Sequence, residues 1–517
     1  MSRSLDHPSF SHGAEDLTYN EHKWIIDTTG LLQSIDEEER NACHHGANPR
    51  HLRTFGPTVW AAWNNIQTIH KHGTLRAFLW QALEEHCSPI MPNPTGCSLS
   101  SLLRCDEEDI ASVVFILLRD GVQNRQLMTS YVERPVEFIN LLQMILDQNH
   151  GSKADRILVS RTLARVAKRY ATYPDSLLIH NVHLLGTHPV AGGGFADIWK
   201  GRLGGQAMAL KAFRIFFHAI ILNHLQGFSH EAVIWRQLRH RNILPFYGIF
   251  KGTHSFDRLC LVSPWMEGGN VVEFLRAHPE SNRISLVKDT VLGLEYLHHF
   301  EPPVVHGDLK GANIFVTPSG TACLADFGLA RFRDSNELTQ GSTSGNDAGT
   351  SRWQAPELFY TDASGKTARP TRESDVYSFG CVCLEIFTGN VPFHEICRES
   401  AVVMAIMQGK TPQRSLEGLT YSGPDQELWE TIEMCWRADP IQRPRVSHLV
   451  EAFGHQADFF AQESRQISID DVFPQIPLAS FGQYGFTEEY ISKFGVANIS
   501  HEHCSSTSTF YSLNLDD

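Results

Sequence analysis

No apolar stretch in this chain is long enough to span a bilayer. The longest candidate, Ala212 to Leu222, is too short and is interrupted by Arg214 and His218. The first residues, Met1-Ser2-Arg3-Ser4-Leu5-Asp6-His7, lack the apolar core of a secretory leader, so an intracellular, cytoplasmic location is expected. The eleven cysteines contain no C-x-x-C pair, and their odd number without a leader predicts reduced thiols. The 27 histidines show no zinc-ligand spacing and read as surface or loop residues. Positive charge is also scarce. Lys and Arg number 44 against 58 Asp and Glu, and the net charge of −14 repels a phosphate backbone, so no nucleic-acid partner is expected. No internal repeat is visible.

What is present is concentrated in the second half of the 517 residues. His306-Gly307-Asp308-Leu309-Lys310-Gly311-Ala312-Asn313 is followed by Asp326-Phe327-Gly328 and then by Ala355-Pro356-Glu357. Asp308 and Asn313, five residues apart, can serve as a proton acceptor and a metal ligand on one loop. Asp326, thirteen residues beyond Asn313, can hold the same metal from a neighbouring loop. The apolar runs Ile314 to Val316 and Ala322 to Ala325 read as the strands of a hairpin carrying those loops. Such a layout suits a metal-bound polyphosphate beside a hydroxyl.

These three segments, in this order, resemble the catalytic and activation segments of a eukaryotic protein kinase. The resemblance extends over about residues 182–453. It implies an α+β, bilobal protein-kinase fold with a small β-rich N-lobe and a large helical C-lobe, preceded by an α-helical region. Val190-Ala191-Gly192-Gly193-Gly194-Phe195-Ala196-Asp197-Ile198 resembles the glycine-rich loop, whose glycines let backbone N–H groups approach phosphates. The match is partial, because two of the family's three glycines fall on Ala191 and Ala196. Lys211, in the alternating run Met208-Ala209-Leu210-Lys211, matches the strand lysine that contacts the α- and β-phosphates. Its expected partner is Glu231, in a run from Glu231 to Leu238 that reads as a helix. Leu259 to Ser263 reads as a buried strand leading into an adenine-binding hinge. There the resemblance assigns Ser263 to the back of the pocket and Pro264 and Met266 to adenine. Ala209, Ile198 and Phe315 complete the implied nucleotide pocket.

By the same resemblance, Asp308 takes or orients the acceptor proton and Lys310 holds the γ-phosphate. Asn313 and Asp326 hold Mg²⁺ on ATP. Lys310 and Thr350 are the pair found in serine/threonine kinases, which favours serine and threonine on protein substrates as acceptors, with dual specificity the alternative. Asp375, which opens an apolar helix reaching about Phe387, is either a helix cap or the family's aspartate that holds the catalytic loop. Arg443 resembles the arginine that pairs with Glu357. The segments 349–357 and 375–380 look like the tyrosine-kinase-like group. The His-Gly-Asp form with a helical preamble looks like the fungal serine/threonine kinases of that group. Gly307 stands where many kinases carry an arginine that senses activation-segment phosphate. Modification of Ser342, Thr343 or Ser344 is therefore not expected to drive a switch. Constitutive activity, or control through the Glu231 helix and the N-terminal region, is the expectation.

Outside that span, residues 1–55 are polar, without periodicity, and are expected to be disordered. Residues 56–176 are expected to form a helical extension that is structural or binds a protein partner. Its apolar faces are Ile110, Val113, Val114 and Leu117; Phe138, Leu141, Leu142 and Ile145; and Val159, Leu163, Val166 and Tyr170. Leu177 to Leu185 reads as a linker, and residues 454–517 as an acidic, flexible tail. The run Phe213 to Phe228 is unusually apolar for the loop expected before the Glu231 helix. It is expected to be covered by the helical extension or by a partner. With the imperfect glycine loop, this run also supports a rival reading, a pseudokinase acting as a nucleotide-binding scaffold. A small-molecule kinase is disfavoured by the intact Ala355-Pro356-Glu357 segment.

Overall fold

The computed structural model describes Ile66, Ile69 and residues 97–458, apart from 132–133, 193–195, 214–217, 253–255, 329, 333–349, 362–367 and 415–423. Gly193, Gly194, Phe195, Phe216, Phe217, Ser342, Thr343, Ser344, the segment 1–55 and nearly all of the tail lie outside the described residues. Two compact units are present, residues 1–113 with 486–517, and residues 114–485. In the first, the described residues are Ile66, Ile69 and the start of helix α1 (Cys97–Arg119).

The second unit begins with the end of α1 and three more helices: α2 (Gly121–Ser130), α3 (Pro135–Asp147) and α4 (Lys153–Tyr170). Side chains start each of them. Asp120 caps α2, proline stands at the start of α3, and Ser152 with Asp155 forms a capping box on α4. Phe138, Ile139, Leu142 and Ile145 are fully buried, each contributing about 1.5–3 kcal/mol of burial. The chain then turns at Asp175, whose N–H and carboxylate bond the Asn140 side chain of α3 at 2.8 and 2.7 Å.

The expected linker is part of the sheet. Strand β1 (Leu178–Ile179) runs parallel to β6 (Gly248–Lys251) at one edge. Between that edge and β2 (His183–Leu185) lie β7 (Leu259–Pro264), β5 (Gln206–Phe213) and β4 (Ala196–Leu203), all antiparallel. The short β3 (Ala191–Gly192) pairs with β4. Alternation sorts β5 into two faces. Met208, Leu210 and Ala212 enter the core with Trp199, Cys260 and Val262, leaving Ala209 and Lys211 on the other face.

Helix α5 (His218–Gln237) carries Glu231. It corrects one expectation, because most of the apolar run before Glu231 is helix rather than loop. The run from His218 contains no proline and no glycine before Gly227, so nothing breaks the turn. The expected cover of this run is seen, among its described residues, at Phe228 only. Phe228 is buried, whereas Leu222 is 56% exposed.

The larger lobe is helical: α6 (Val271–Ala277), α7 (Arg283–His299), α8 (Arg372–Thr388), α9 (Glu399–Met407), α10 (Gln426–Cys435) and α11 (Val446–Asp458). Two small two-stranded sheets lie between α7 and α8. One pairs β9 (Ile314–Val316) with β10 (Ala322–Leu324), and the other pairs β8 (Val304–Val305) with β11 (Arg331–Phe332). Helix α8 is the axis of this lobe, buried over almost its whole length. Thr371 caps it and Gly389, at φ 75°, ends it. Asp375 is therefore not the cap. Among the described residues, no helix is long and apolar enough to cross a membrane.

Candidate active site

The sheet brings the expected nucleotide residues together by register. Ala191 lies opposite Ile198, Ile198 opposite Lys211, and Ala209 opposite Ser263. Directly opposed residues share a face, so Ala191, Ile198, Ala209, Lys211 and Ser263 line the side of the sheet away from the core. Pro264 ends β7 and Met266 is buried just beyond it. Phe315, half-buried on β9, bridges Asn270 at the start of α6. Gly192 is exposed on β3.

Lys211 Nζ donates to Glu231 Oε1 at 2.9 Å and to Asp326 Oδ1 at 2.8 Å. One ammonium thus joins the sheet, α5 and the Asp326 segment. Burial opposes its charge, but the Asp326 and Glu231 carboxylates outweigh burial and raise its pKa. The opposite balance falls on Glu231, where burial dominates and raises the carboxyl, against the pull of Lys211. Asp326 is lowered. Burial acts upward on it, and Lys211 more than cancels that. Its backbone sits at φ +63°, a conformation that costs a non-glycine residue energy and recurs at functional sites.

Asp308 is half-buried and raised, first by burial, with Lys310 opposing and Asp326 adding to the rise. Its Oδ2 accepts from Lys310 Nζ at 2.8 Å and from Asn313 Nδ2 at 3.0 Å. Its Oδ1 is buried and has no hydrogen-bond partner. A buried carboxylate oxygen left open is costly unless a donor arrives. The Asn313 amide also donates to the Asp308 carbonyl at 2.8 Å, which occupies its NH₂ and leaves its oxygen as the atom able to ligate a metal. Lys310 Nζ reaches Thr350 Oγ1 at 2.9 Å, joining the catalytic loop to the segment before Ala355-Pro356-Glu357.

The loop's backbone is held from below. Asp375 accepts from the His306 and Gly307 amides, both at 2.9 Å, and lies 3.0 Å from His298 Nε2. Glu385 accepts from the Gly311 amide at 2.9 Å and from Trp353 Nε1 at 3.0 Å. Burial pushes its carboxyl up to about 7. Arg443 grips Glu357 with two bonds of 2.7 Å. Sequence reasoning missed Glu385, whose signal was an acid within the apolar stretch that follows Asp375 on the same helix. It also missed the aromatic column of Trp235, Phe327 and His306, with centroids 5.7 and 5.4 Å apart. Its signal was an aromatic four residues after Glu231.

The donor set fits a magnesium-bound polyphosphate. Asp326 and Asn313 offer hard oxygen ligands, and Mg²⁺ is commonly bound by one or two carboxylates together with substrate phosphates.

The family model for protein tyrosine and serine/threonine kinases matches residues 186–453. Among curated relatives, the chain is 30% identical over 266 residues to serine/threonine-protein kinase STY17 of Arabidopsis thaliana, covering 51% of this chain and 42% of the relative. It is 30% identical over 246 residues to human receptor-interacting serine/threonine-protein kinase 1, covering 45% of this chain and 35% of the relative. The chain thus spans less than half the length of either.

Proposed function

Because the chain belongs to the protein tyrosine and serine/threonine kinase family, we propose that it is an ATP-dependent serine/threonine protein kinase acting in intracellular signalling. The observation that carries this reading is the open, buried Oδ1 of Asp308 beside Lys310 and Asn313. The oxygen would accept the bond of an incoming hydroxyl, and a raised pKa would make it a better proton acceptor. Lys211 would grip the α- and β-phosphates, held in place by Glu231. Lys310 would neutralise charge on the γ-phosphoryl group, and its bond to Thr350 supports serine or threonine as acceptor. Asn313 and Asp326 would ligate Mg²⁺. Bound Mg²⁺ with ATP supplies the transferable phosphoryl group and screens its charge. The residues contribute position and electrostatics rather than covalent chemistry.

In this reading residues 182–453 are the catalytic domain, 56–176 a helical extension and 454–517 a tail. Protein substrates follow from the kinase domain, and the extension is a candidate partner surface. A pseudokinase scaffold remains the competing reading, supported by Ala191 and Ala196 at glycine positions. The two separate in one experiment on the purified chain with γ-labelled ATP, Mg²⁺ and a generic protein acceptor. A kinase labels serine and threonine, and a metal chelator or Asp326→Asn removes the label. A scaffold is thermally stabilised by Mg-ATP and transfers nothing.

A further inference from the structure

The helix that carries Glu231 is held from outside the sheet by α3 and α4. Helix α4 packs along α5, with the Ala164 backbone of α4 reaching the buried His230 of α5. Just past α4, the Tyr173 ring meets Phe228 edge-on with centroids 5.8 Å apart. Phe228 meets Phe213 in the same way at 5.2 Å, at the end of the strand that bears Lys211. His230, next to Glu231, is buried, and burial followed by Lys168 of α4 pushes its imidazole down to about 3. The ring is therefore a neutral packing element. Backbone carbonyls of Ala164 in α4 and of Ala330, past the Asp326 segment, act in the opposite and weaker sense.

At the C-terminal end of α5, polar side chains form a connected network with α3. Arg236 Nη2 donates to Asp147 Oδ1 at 3.0 Å, Gln143 Nε2 donates to the same oxygen at 3.0 Å, and Gln237 Nε2 donates to Gln143 Oε1 at 3.1 Å. The ion pair alone would be weak, because water reaches both partners. Gln143 changes that. It is 1% exposed, and its loss removes both the acceptor of the half-buried Gln237 amide and a donor to Asp147. The α3–α4 pair is itself tied down, through Asn140 with Asp175 and through β1 on β6.

We propose that α3 and α4 are a built-in device that positions Glu231, with Gln143 and Asp147 as positioning residues acting through α5. In a kinase without an arginine before the catalytic aspartate, this contact takes over part of the task of holding the Lys211–Glu231 pair closed. The activity readout rests on the functional reading above, and the exchange readout does not.

Steady-state phosphate transfer by the full chain should fall about 5- to 20-fold in Gln143→Leu and in Asp147→Arg. Pairing Asp147→Arg with Arg236→Asp should restore the rate to within about threefold of wild type. In a Glu231→Gln background the same substitutions should change the residual rate by less than about twofold, because the pair they act through is already broken. Losses that multiply in that background would overturn the proposal, since a merely structural role would act independently of Glu231. Independently of turnover, amide exchange across residues 222–237 should rise about tenfold in Gln143→Leu while residues 372–388 keep their protection. Unchanged exchange in 222–237 would also overturn it. A wild-type chain that transferred no phosphate would instead overturn the functional reading, and the exchange comparison would still decide this one.

Discussion

Around Asp308 the restraints come from the main chain. Two consecutive amides of its loop are fixed by Asp375, a third by Glu385, and both acids project from one buried helix. Around Lys211 the restraints come from side chains. Its ammonium meets one carboxylate on α5 and one on the Asp326 segment, and α5 depends on helices that precede the sheet. The first half of the site is thus a product of its own lobe, and the second is assembled from separate elements. Damage to the first half should cost folding stability, and damage to the second should cost rate at nearly constant stability.

The largest effect is expected at Asp375. Asp375→Ala strands the His306 and Gly307 amides and the His298 ring, and should destabilise the chain by about 3–5 kcal/mol in chemical denaturation. A loss below about 1 kcal/mol would break the comparison on its first side.

Glu385 sharpens the same side through pH. Its carboxyl titrates at about 7 in the folded chain against an ordinary 4.5, so the folded state holds the proton more tightly. That contribution to stability is complete below the ordinary value and is lost as pH rises through about 7, up to about 3 kcal/mol. Glu385→Gln keeps an acceptor for Gly311 and Trp353 without the charge. Denaturation curves between pH 4.5 and 8 should then lose that slope.

On the other side, Glu231→Gln should lower kcat/KM by about 10- to 100-fold, the worth of one charge-assisted hydrogen bond. Its unfolding midpoint should stay close to wild type, because Asp326 still pairs Lys211 at 2.8 Å. A large drop in midpoint with an unchanged rate would reverse the comparison.

Much of the fold and of the site could be read from the sequence, for a physical reason. Asp308, Asn313, Lys211 and Asp326 are charged or amide residues set beside apolar strands, and polar residues stand out in such a setting. The hairpin of Ile314–Val316 with Ala322–Leu324 was legible because both strands are short, apolar and separated by turn residues. What escaped depends on tertiary packing. Glu385 looks like one acid within an apolar stretch until Gly311 and Trp353 arrive from distant segments. The Phe213–Phe228 run reads as a misplaced apolar loop. Its burial at Phe228 and exposure at Leu222 are settled by which face of α5 meets α4. The Gln143 network joins polar residues 94 positions apart, with no local signature.

The most direct test of the account is the kinetics of Asp308→Asn with Mg-ATP and a protein acceptor. The substitution keeps the shape of the side chain and removes the charge proposed to accept the hydroxyl proton. A fall in kcat of about 10²–10⁴-fold is expected, with Mg-ATP raising the unfolding midpoint of both the variant and the wild type. Near-wild-type turnover in Asp308→Asn would contradict the account.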